Sequence, residues 1–309
     1  MILVLLLLCG CSGSQENSET YFCLDTVVTF TANCGRDTLS RANEKCRDYE
    51  NLLSRTVDKS EVSLLNKNGS GKVSDETLKL IKTAVYYGDK TGGKFDITIC
   101  PVSSLWDFEG TALPDRSEIA EALKNVDYES IKIVGNAVDL NGKQIDLGSV
   151  AKGYIADQIV KFLKQNGATK GIVNLGGNIA VFGKEYTVGI KKPFTENETV
   201  AKLKIKDMSA VTSGIYERYI EKDGKIYHHI LDPKTGYGVE NTLAGVTVIG
   251  KDGFSCDAMS TSLMLLGKEE GLKLINNTAD LEAVFVEKNG KITLSDGLTL
   301  KGNVIKKND

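Results

Sequence analysis

The middle of the chain carries the sequence Asp-Leu-Gly-Ser-Val-Ala-Lys-Gly-Tyr at residues 146–154. The small residues after the carboxylate open a helix, whose apolar positions continue to Leu163 and which ends at Asn166-Gly167. The start of such a helix exposes backbone N–H groups that can bind phosphate or a metal–phosphate complex. Asp and Gly also form ordinary helix starts, so the motif by itself leaves both interpretations open.

Hydrophobic periodicity around this motif predicts most of the helices in the first half of the chain and most of the strands in the second half. Helices are expected at residues 37–53, from Ser74 to Gly92-Gly93, from 148 to 166, and at 257–266. Strands are expected at residues 27–32, 171–182, 186–190, 200–205 and 246–249, with hairpins around Asp223-Gly224 and Asn289-Gly290. This order favours an α+β fold, with early helices packed on mainly antiparallel sheets, over a wound parallel sheet.

Composition limits the possible partners and metal sites. The 309 residues include 38 Lys and Arg against 41 Asp and Glu, for a net charge of -3. We expect no nucleic-acid binding, because proteins that neutralise phosphates carry an excess of basic residues. The chain has only 2 His, which excludes a metal site that needs three imidazole ligands.

The start of the chain is typical of an exported lipoprotein. Residues 1–8 are apolar and are followed by Cys9-Gly10-Cys11 and a polar run. The apolar run is shorter than the roughly 20 residues that span a bilayer and fits the core of a secretory signal. We therefore expect a lipoprotein signal and tether over residues 1–20, a single domain over 21–309, and a lipid on Cys11 that holds the protein at the extracytoplasmic side of the cell membrane. A trimmed or misassigned start is the alternative.

The remaining cysteines show no metal-binding or disulfide pattern. They are Cys23, Cys34, Cys46, Cys100 and Cys256. An odd, scattered set without a CxxC pair argues against a disulfide framework and a structural zinc site. We expect most of them to be small buried hydrophobic side chains.

Two motifs in the strand-rich half combine glycine or histidine with polar residues. Asn-Leu-Gly-Gly-Asn at residues 174–178 interrupts a strand pattern, which indicates a bulge or the close approach of another backbone or a ligand. Both histidines, His228 and His229, lie on one predicted strand before Asp-Pro-Lys-Thr-Gly. Adjacent strand residues point to opposite faces, so at most one imidazole faces a site, where it could act as a base.

A third motif suits a hard cation. Asp257 and Thr261 are four residues apart on a predicted helix and share one face, with Ser260 nearby. Carboxylate and hydroxyl oxygens are suitable ligands for Mg²⁺, which typically takes one or two protein carboxylates. An Asp that only caps the helix is the alternative.

Taken together and in this order, the motifs resemble the FAD:protein FMN transferase (ApbE) family over nearly the whole mature chain. The matching segments are residues 60–66, Gly-Lys-Phe-Asp at 93–96, Leu-Trp at 105–106, 146–153, 174–177, Thr-Ser-Gly-Ile-Tyr-Glu-Arg at 212–218, His-His-Ile-Leu-Asp-Pro-Lys-Thr-Gly at 228–236, and Asp-Ala-Met-Ser-Thr at 257–261. The resemblance implies that the protein uses Mg²⁺ to split FAD at its pyrophosphate. FMN would be attached through a phosphoester bond to a Thr or Ser hydroxyl of a partner protein, with release of AMP.

The resemblance also implies roles for individual residues. Asp257 and Thr261 would bind the metal by their side chains, Ser149 by its carbonyl, and Ser260 weakly or through water. The implied FAD contacts are Leu24, Thr56, Lys94, Phe95, Asp96, Asp146, Lys152 and Ile230. Two positions depart from the family: Thr56 stands where an aromatic residue is frequent, and Asn178 stands where Asp is common.

Phosphoryl transfer depends mainly on positioning and charge neutralisation, with a base to deprotonate the acceptor hydroxyl. We assign that base to His229 or His228, with His229 preferred because it adjoins Ile230. The expected acceptor is an exported protein, either a subunit of a membrane redox complex or a flavin-carrying reductase. Three alternatives remain: hydrolysis of FAD to FMN and AMP, a flavin-binding lipoprotein without turnover, and a structural lipoprotein without a ligand.

Overall fold

A long mixed sheet forms the framework of the protein, which a computed structural model describes from residue 15 to residue 308. The strands are β1 (Asn17–Cys23), β2 (Thr26–Ala32), β3 (Ser70–Lys72), β4 (Lys132–Val134), β5 (Ala137–Asp139), β6 (Gly171–Leu175), β7 (Asn178–Lys191), β8 (Thr199–Gly214), β9 (Tyr219–Lys222), β10 (Lys225–His228), β11 (Leu243–Gly250), β12 (Glu282–Glu287), β13 (Ile292–Leu294), β14 (Leu298–Lys301) and β15 (Val304–Lys307). The helices are α1 (Arg36–Leu53), α2 (Glu61–Asn68), α3 (Asp75–Lys90), α4 (Cys100–Ser103), α5 (Arg116–Leu123), α6 (Gly148–Gln165), α7 (Gly253–Leu266) and α8 (Lys268–Asn276).

Ten of these strands form the main sheet in the order β1-β2-β6-β7-β8-β11-β12-β13, with the β14–β15 hairpin joined to β8. All pairings between them are antiparallel except that of β15 with β8. Helices α6 and α7 pack on one face of this sheet. The α+β prediction is therefore confirmed.

The sheet separates two hydrophobic cores, and β11 is buried along its whole length between them. The larger core joins the helices to one sheet face, and the second core lies among β7, β8, β12 and the β14–β15 hairpin. A third, smaller core holds α4 and α5 against the β9–β10 hairpin. There the indole N–H of Trp106 donates to the carbonyl of Gly236 at 3.0 Å, which ties the segment after the histidines to the helical layer.

Helices α6 and α7 cross at a contact that only glycine allows. A Cβ on Gly153 would overlap the carbonyl oxygen of Gly253 and lie 2.7 Å from the Cβ of Asp257. The two backbones therefore touch without intervening side chains. This contact places the first turns of α6 against the residues of α7 that follow Gly253.

The sequence predicted most of the long elements. All four expected helices are present as α1, α3, α6 and α7, although α7 begins four residues before its predicted start. Ser74 caps α3 by accepting the Thr77 N–H. The strand expected at 171–182 is wrong as one element, because the chain reverses at Gly176-Gly177 and continues as β7. Both glycines have positive φ, +61° and +98°, as a tight hairpin turn requires.

The edge strand β1 was not expected. It begins at Asn17, before the predicted end of the tether at residue 20, and pairs with β2 through a two-residue turn at Leu24-Asp25. Residues 1–11, which carry the signal prediction and Cys11, lie outside the described part of the chain. Among residues 15–308, no helix is long and apolar enough to cross a membrane.

The five scattered cysteines are free thiols in the described part of the chain. Cys23, Cys46, Cys100 and Cys256 are buried, as expected for small hydrophobic side chains, whereas Cys34 is partly exposed. No disulfide joins any two of these five residues. The fold is therefore held by its cores and hydrogen bonds in this region.

A pair of carboxyl groups lies at the start of α7. Asp157 on α6 accepts the N–H groups of Gly253 at 3.1 Å and Phe254 at 3.0 Å, and Asp252 accepts the Ser255 N–H. Burial, followed by the hydrogen bond and charge of Asp252, raises the pKa of Asp157 to about 7. The two N–H groups oppose this shift but do not outweigh it.

We predict that Gly153→Ala destabilises the fold by about 2–3 kcal/mol, because the added methyl group separates α6 from α7. The gain in helix propensity, about 1 kcal/mol, does not compensate. Chemical denaturation measures the free energy of unfolding. Gly71→Ala is the control, since its Cβ meets nothing closer than the Leu65 side chain at 3.8 Å. A Gly153→Ala variant as stable as the unaltered protein would contradict the close crossing.

We predict that the Asp157–Asp252 pair makes stability fall as the pH rises from about 4 to about 7. In this window folded Asp157 retains a proton that the unfolded chain, with a carboxyl pKa near 3.9, has released. Asp252→Asn keeps a helix-capping side chain but removes the like charge, so it should increase stability above pH 7 by about 1 kcal/mol and flatten this slope. Urea denaturation at several pH values, with Asp58→Asn as a surface control, tests the prediction. An identical pH slope in both variants would refute it.

Candidate active site

A buried carboxylate lies where α6 and α7 cross. Asp257 is 5% exposed, and its Oδ2 accepts the backbone N–H of Gly153 at 2.8 Å. This contact joins the carboxylate of α7 directly to the backbone of α6. It lies four residues after Ser149, whose carbonyl the family resemblance assigns to the metal.

Burial raises the pKa of Asp257 to about 6. The charge of Lys152, the Gly153 N–H and the neighbouring Asn178 amide all favour the ionised carboxylate, but burial is the larger effect. Asn178 Nδ2 is itself buried and has no partner with hydrogen-bond geometry among the described residues. The carboxyl group is therefore balanced between its charged and neutral forms, and a nearby cation would ionise it.

Three hydroxyl groups form a connected set that reaches the backbone carbonyl of Asp257. Ser213 at the end of β8 lies 2.8 Å from the Ser260 Oγ and 3.2 Å from the Thr261 Oγ1. Ser260 is fully buried and donates to the Asp257 carbonyl at 2.9 Å, whereas Thr261 is partly exposed. Of the predicted metal-binding residues of α7, Ser260 and Thr261 therefore contact β8, whereas the Asp257 side chain contacts α6.

Asp146 lies just before α6 and has both oxygens engaged. Its Oδ1 accepts the Gly148 N–H at 2.8 Å, and its Oδ2 pairs with the Arg55 Nε at 2.9 Å. Arg55 also donates to Ser104 at 2.8 Å, and the Asp146 N–H donates to the Ile97 carbonyl at 2.8 Å. This network brings the loop after α1 and the segment before α4 to the start of α6.

The two histidines lie in different environments. The strand predicted to carry both is shorter than expected: β10 ends at His228, and His229 lies in the bend that follows it. His228 is buried, and its Nε2 lies 3.2 Å from the Val239 carbonyl. Its Nδ1 is buried without a partner among the described residues. Desolvation lowers the pKa of His228 to about 4, so the ring is neutral near pH 7. A neutral ring donates from Nε2 to Val239, which makes His228 a structural residue of the β9–β10 region.

His229 is partly exposed and lies just after β10. Its Nδ1 lies 3.2 Å from the Arg218 carbonyl, and Phe108 packs edge-on against the ring at 6.3 Å between centroids. Desolvation, and then the positive charge of Arg218, lower the pKa of His229 to about 3. The neutral ring donates from Nδ1 to the carbonyl, so its Nε2 carries the free lone pair. This is the tautomer required of a general base.

The charge of Lys152 acts on both Asp257 and His229. It is the largest effect that favours ionised Asp257, and it opposes protonation of His229 more weakly than desolvation and Arg218 do. Lys152 itself is on the first turns of α6 and partly exposed. This charge is the link that the structure gives between the candidate base and the buried carboxyl group.

The remaining predicted FAD contacts lie at differing depths. Lys94 is paired with Glu270 at 3.3 Å, and Asp96 accepts the Thr98 N–H at 2.7 Å. Phe95 and Ile230 are buried, at 2% and 5% exposure, so they shape the surrounding core. Lys94, Phe95 and Asp96 precede Ile97, whose carbonyl accepts the Asp146 N–H. Ile230 directly follows His229.

Leu24 and Thr56 lie on two loops near α1. Thr56 is exposed and follows Arg55, whose partner is Asp146. Leu24 occupies the β1–β2 turn with a φ of +57°, and its N–H donates to Glu50 at 2.7 Å. An exposed threonine at position 56 provides no aromatic surface for a flavin ring.

The donor set fits a cation that retains water or substrate ligands. Within residues 15–308, no three His, Cys, Asp or Glu side chains converge on a metal position. The ligands expected from the sequence would be one carboxylate from Asp257, a hydroxyl from Thr261 and the carbonyl of Ser149, all of them hard oxygen donors. Mg²⁺ binds through one or two carboxylates and keeps its other positions for water and phosphate oxygens.

Sequence reasoning did not assign roles to Arg55 and Ser213. Ser213 belongs to the Thr-Ser-Gly motif at 212–214, so its place in a motif was visible but its contact with α7 was not. Arg55 carries no sequence signal, because its pairing with Asp146 depends on how the loop after α1 folds onto α6.

Comparisons with known proteins agree with this architecture. The sequence profile of the ApbE family matches residues 24–285. An FAD:protein FMN transferase from Klebsiella pneumoniae (strain 342) is 37% identical over 274 residues, covering 85% of this chain and 86% of the relative. One from Treponema pallidum (strain Nichols) is 31% identical over 287 residues, covering 84% and 79% of the two chains.

Solved structures show the same fold. The crystal structure of the ApbE protein from Thermotoga maritima MSB8 has a TM-score of 0.84 and 30% identity, covering 91% of this chain and 97% of that one. The apo flavinyl transferase ApbE from Pseudomonas stutzeri has a TM-score of 0.79 and 25% identity, covering 91% and 95%. Sequence and fold thus agree, and the chain belongs to the ApbE family.

Proposed function

We propose that this protein is an FAD:protein FMN transferase that moves FMN from FAD to a Thr or Ser hydroxyl of an acceptor protein and releases AMP. One arrangement carries the proposal. Buried Asp257 accepts the Gly153 N–H on the first turns of α6, and the charge of Lys152 acts on both Asp257 and neutral His229. The curated relatives named for this activity support it.

The reaction exchanges one phosphorus–oxygen bond for another. The acceptor oxygen bonds to the FMN phosphorus, the anhydride bond to the AMP phosphate breaks, and AMP leaves with the bridging oxygen. His229 Nε2 accepts the acceptor's hydroxyl proton. The Arg218 carbonyl holds the ring in the required tautomer by accepting from Nδ1. The bound pyrophosphate brings negative charge, which raises the basicity of His229 in the complex.

The other residues bind and orient the pyrophosphate. The N-terminal end of α6 presents N–H groups and Lys152 a positive charge, both of which stabilise developing phosphate charge. Asp257, Thr261 and the Ser149 carbonyl would hold Mg²⁺, which when bound neutralises phosphate oxygens. Ser260 is fully buried and bonds to Ser213 and the Asp257 carbonyl, so we infer that it positions the other residues without contacting the cation.

We further propose that the protein acts outside the cytoplasm, held to the membrane by a lipid on Cys11. The apolar start and the Gly10-Cys11 pair support this proposal. The acceptor is then an exported protein, such as a subunit of a membrane redox complex or a flavin-carrying reductase. Co-expression with candidate acceptors, followed by mass measurement of each, tests transfer directly: an added FMN supports it, and free FMN shows hydrolysis instead. Intact FAD in stoichiometric complex shows binding without turnover.

Removing the buried carboxylate should abolish transfer. We predict that Asp257→Asn, or chelation of Mg²⁺, lowers flavin labelling of the acceptor by at least about 100-fold, because one charge-neutralising site is lost. Flavin fluorescence on the denatured acceptor measures the labelling. Asp252→Asn is the matched control, because Asp252 lies at the start of the same helix but pairs with Asp157 instead of contacting the site. Unchanged labelling in Asp257→Asn would refute the metal assignment.

The pKa of Asp257 also sets the acid limit of activity. Because the group must ionise to hold a cation and its pKa is about 6, activity should fall as the pH drops below about 6. Raising the Mg²⁺ concentration should move this loss of activity to lower pH, since the cation and the proton compete for one carboxylate. A pH–rate profile independent of Mg²⁺ would contradict this account.

The histidines should differ in what their removal changes. We predict that His229→Gln lowers kcat by 10²- to 10⁴-fold with little change in stability, as for loss of a general base. His228→Gln should instead lower stability by about 1–3 kcal/mol, because it disturbs a buried hydrogen bond. Steady-state rates and thermal unfolding of both variants distinguish the roles. Loss of kcat only in His228→Gln would reverse the assignment.

A further inference from the structure

The hydroxyl groups beside Asp257 form a chain whose proton directions can be deduced. Ser260 donates its only proton to the Asp257 carbonyl, at 2.9 Å. It can therefore only accept in its 2.8 Å contact with Ser213. Ser213 thus uses its own single proton toward Ser260, and the remaining contact, 3.2 Å to Thr261, requires Thr261 to donate. The order of donation is Thr261, Ser213, Ser260, Asp257 carbonyl.

This order determines what Thr261 offers to the site. Its proton points toward Ser213, and both lone pairs of Oγ1 are left free. Thr261 is partly exposed, whereas Ser260 is 0% exposed, so the free lone pairs belong to the residue that a ligand can reach. Because its proton is used in the hydrogen bond to Ser213, the Thr261 hydroxyl presents only lone pairs to a cation.

We propose that Ser213 is a positioning residue for the cation site, acting through Thr261. It accepts the Thr261 proton and thereby fixes the Thr261 hydroxyl in an orientation that leaves both lone pairs available to a ligand. Ser213 also ties β8 to α7 at this point, so the strand fixes the orientation of the helix hydroxyl. The inference rests on the metal part of the proposed function and adds a residue to it.

The same order assigns Ser260 a different role from Thr261. The Ser260 proton and one of its lone pairs are used within the protein, and the residue has no exposed surface. Ser260 therefore anchors the chain of hydroxyls to the α7 backbone and does not contact the cation.

Magnesium affinity tests the proposal. The full chain is titrated with Mg²⁺ alone, and the shift of the thermal unfolding midpoint gives the dissociation constant. Ser213→Ala should raise this constant on the order of 10-fold, as is usual for residues that orient metal ligands. Ser213→Thr, which keeps the hydroxyl, should restore affinity close to that of the unaltered chain. In a Thr261→Val background, Ser213→Ala should have no further effect, because both changes act through one oxygen.

Thr212→Val is the matched control. Thr212 precedes Ser213 on β8, points to the opposite face and pairs with Thr247 at 2.8 Å, so its loss removes a comparable hydroxyl pair away from the site. Mg²⁺ affinity should be unchanged in this variant. Equal weakening in Thr212→Val and Ser213→Ala, or unchanged affinity in Ser213→Ala, would overturn the proposal.

Flavin transfer by the unaltered chain separates this inference from the proposed function. If the unaltered chain labels its acceptor and binds Mg²⁺ but Ser213→Ala binds Mg²⁺ equally well, only the role of Ser213 fails. If the unaltered chain neither binds Mg²⁺ nor labels an acceptor, the proposed function fails as well. If Ser213→Ala does not fold, two other comparisons still test the role of Ser213: Ser213→Thr, and Thr261→Val with and without Ser213→Ala. A loss of Mg²⁺ affinity in Ser213→Thr, which keeps the hydroxyl, would contradict the proposal.

Discussion

The crossing of α6 and α7 is the contact on which the site depends. Gly153 and Gly253 let the two backbones meet, and the Gly153 N–H then reaches Asp257. Any larger residue at 153 would move the carboxylate away from the first turn of α6. The same crossing brings Asp157 to the N-terminal N–H groups of α7. One pair of glycines thus determines where two buried carboxyl groups lie.

Burial raises the pKa of both carboxyl groups, but their neighbours act in opposite directions. For Asp157 the hydrogen bond and charge of Asp252 add to the effect of burial. Asp257 has a raised pKa because it is buried, yet lysine and backbone N–H groups favour its charged form. A cation would complete that compensation, since an opposite charge at short range is the strongest remaining way to ionise a buried acid. The protein therefore maintains a carboxylate whose charge depends on what is bound beside it.

The base and the hydroxyl groups depend on backbone carbonyls for their orientation. The Arg218 carbonyl fixes the tautomer of His229, and the Asp257 carbonyl fixes the proton direction along Ser260, Ser213 and Thr261. Because carbonyl groups only accept, each leaves its partner one defined arrangement. Such orientation reduces the reorganisation that charge transfer to phosphate requires.

The sequence by itself determined the α+β class, the long helices α1, α3 and α6, and the side chains of the site. Periodicity and capping residues act over a few positions, so they are visible in a single chain. Neither the edge strand β1 nor the turn at Gly176-Gly177 was predicted, because strand pairing is decided by partners far along the chain. Only the tertiary structure showed that Arg55 pairs with Asp146 and that Ser213 contacts Thr261. It also decided which of the two histidines is buried and raised the pKa of Asp257. Those properties arise from distances between elements and from exclusion of water, which residue order alone does not contain.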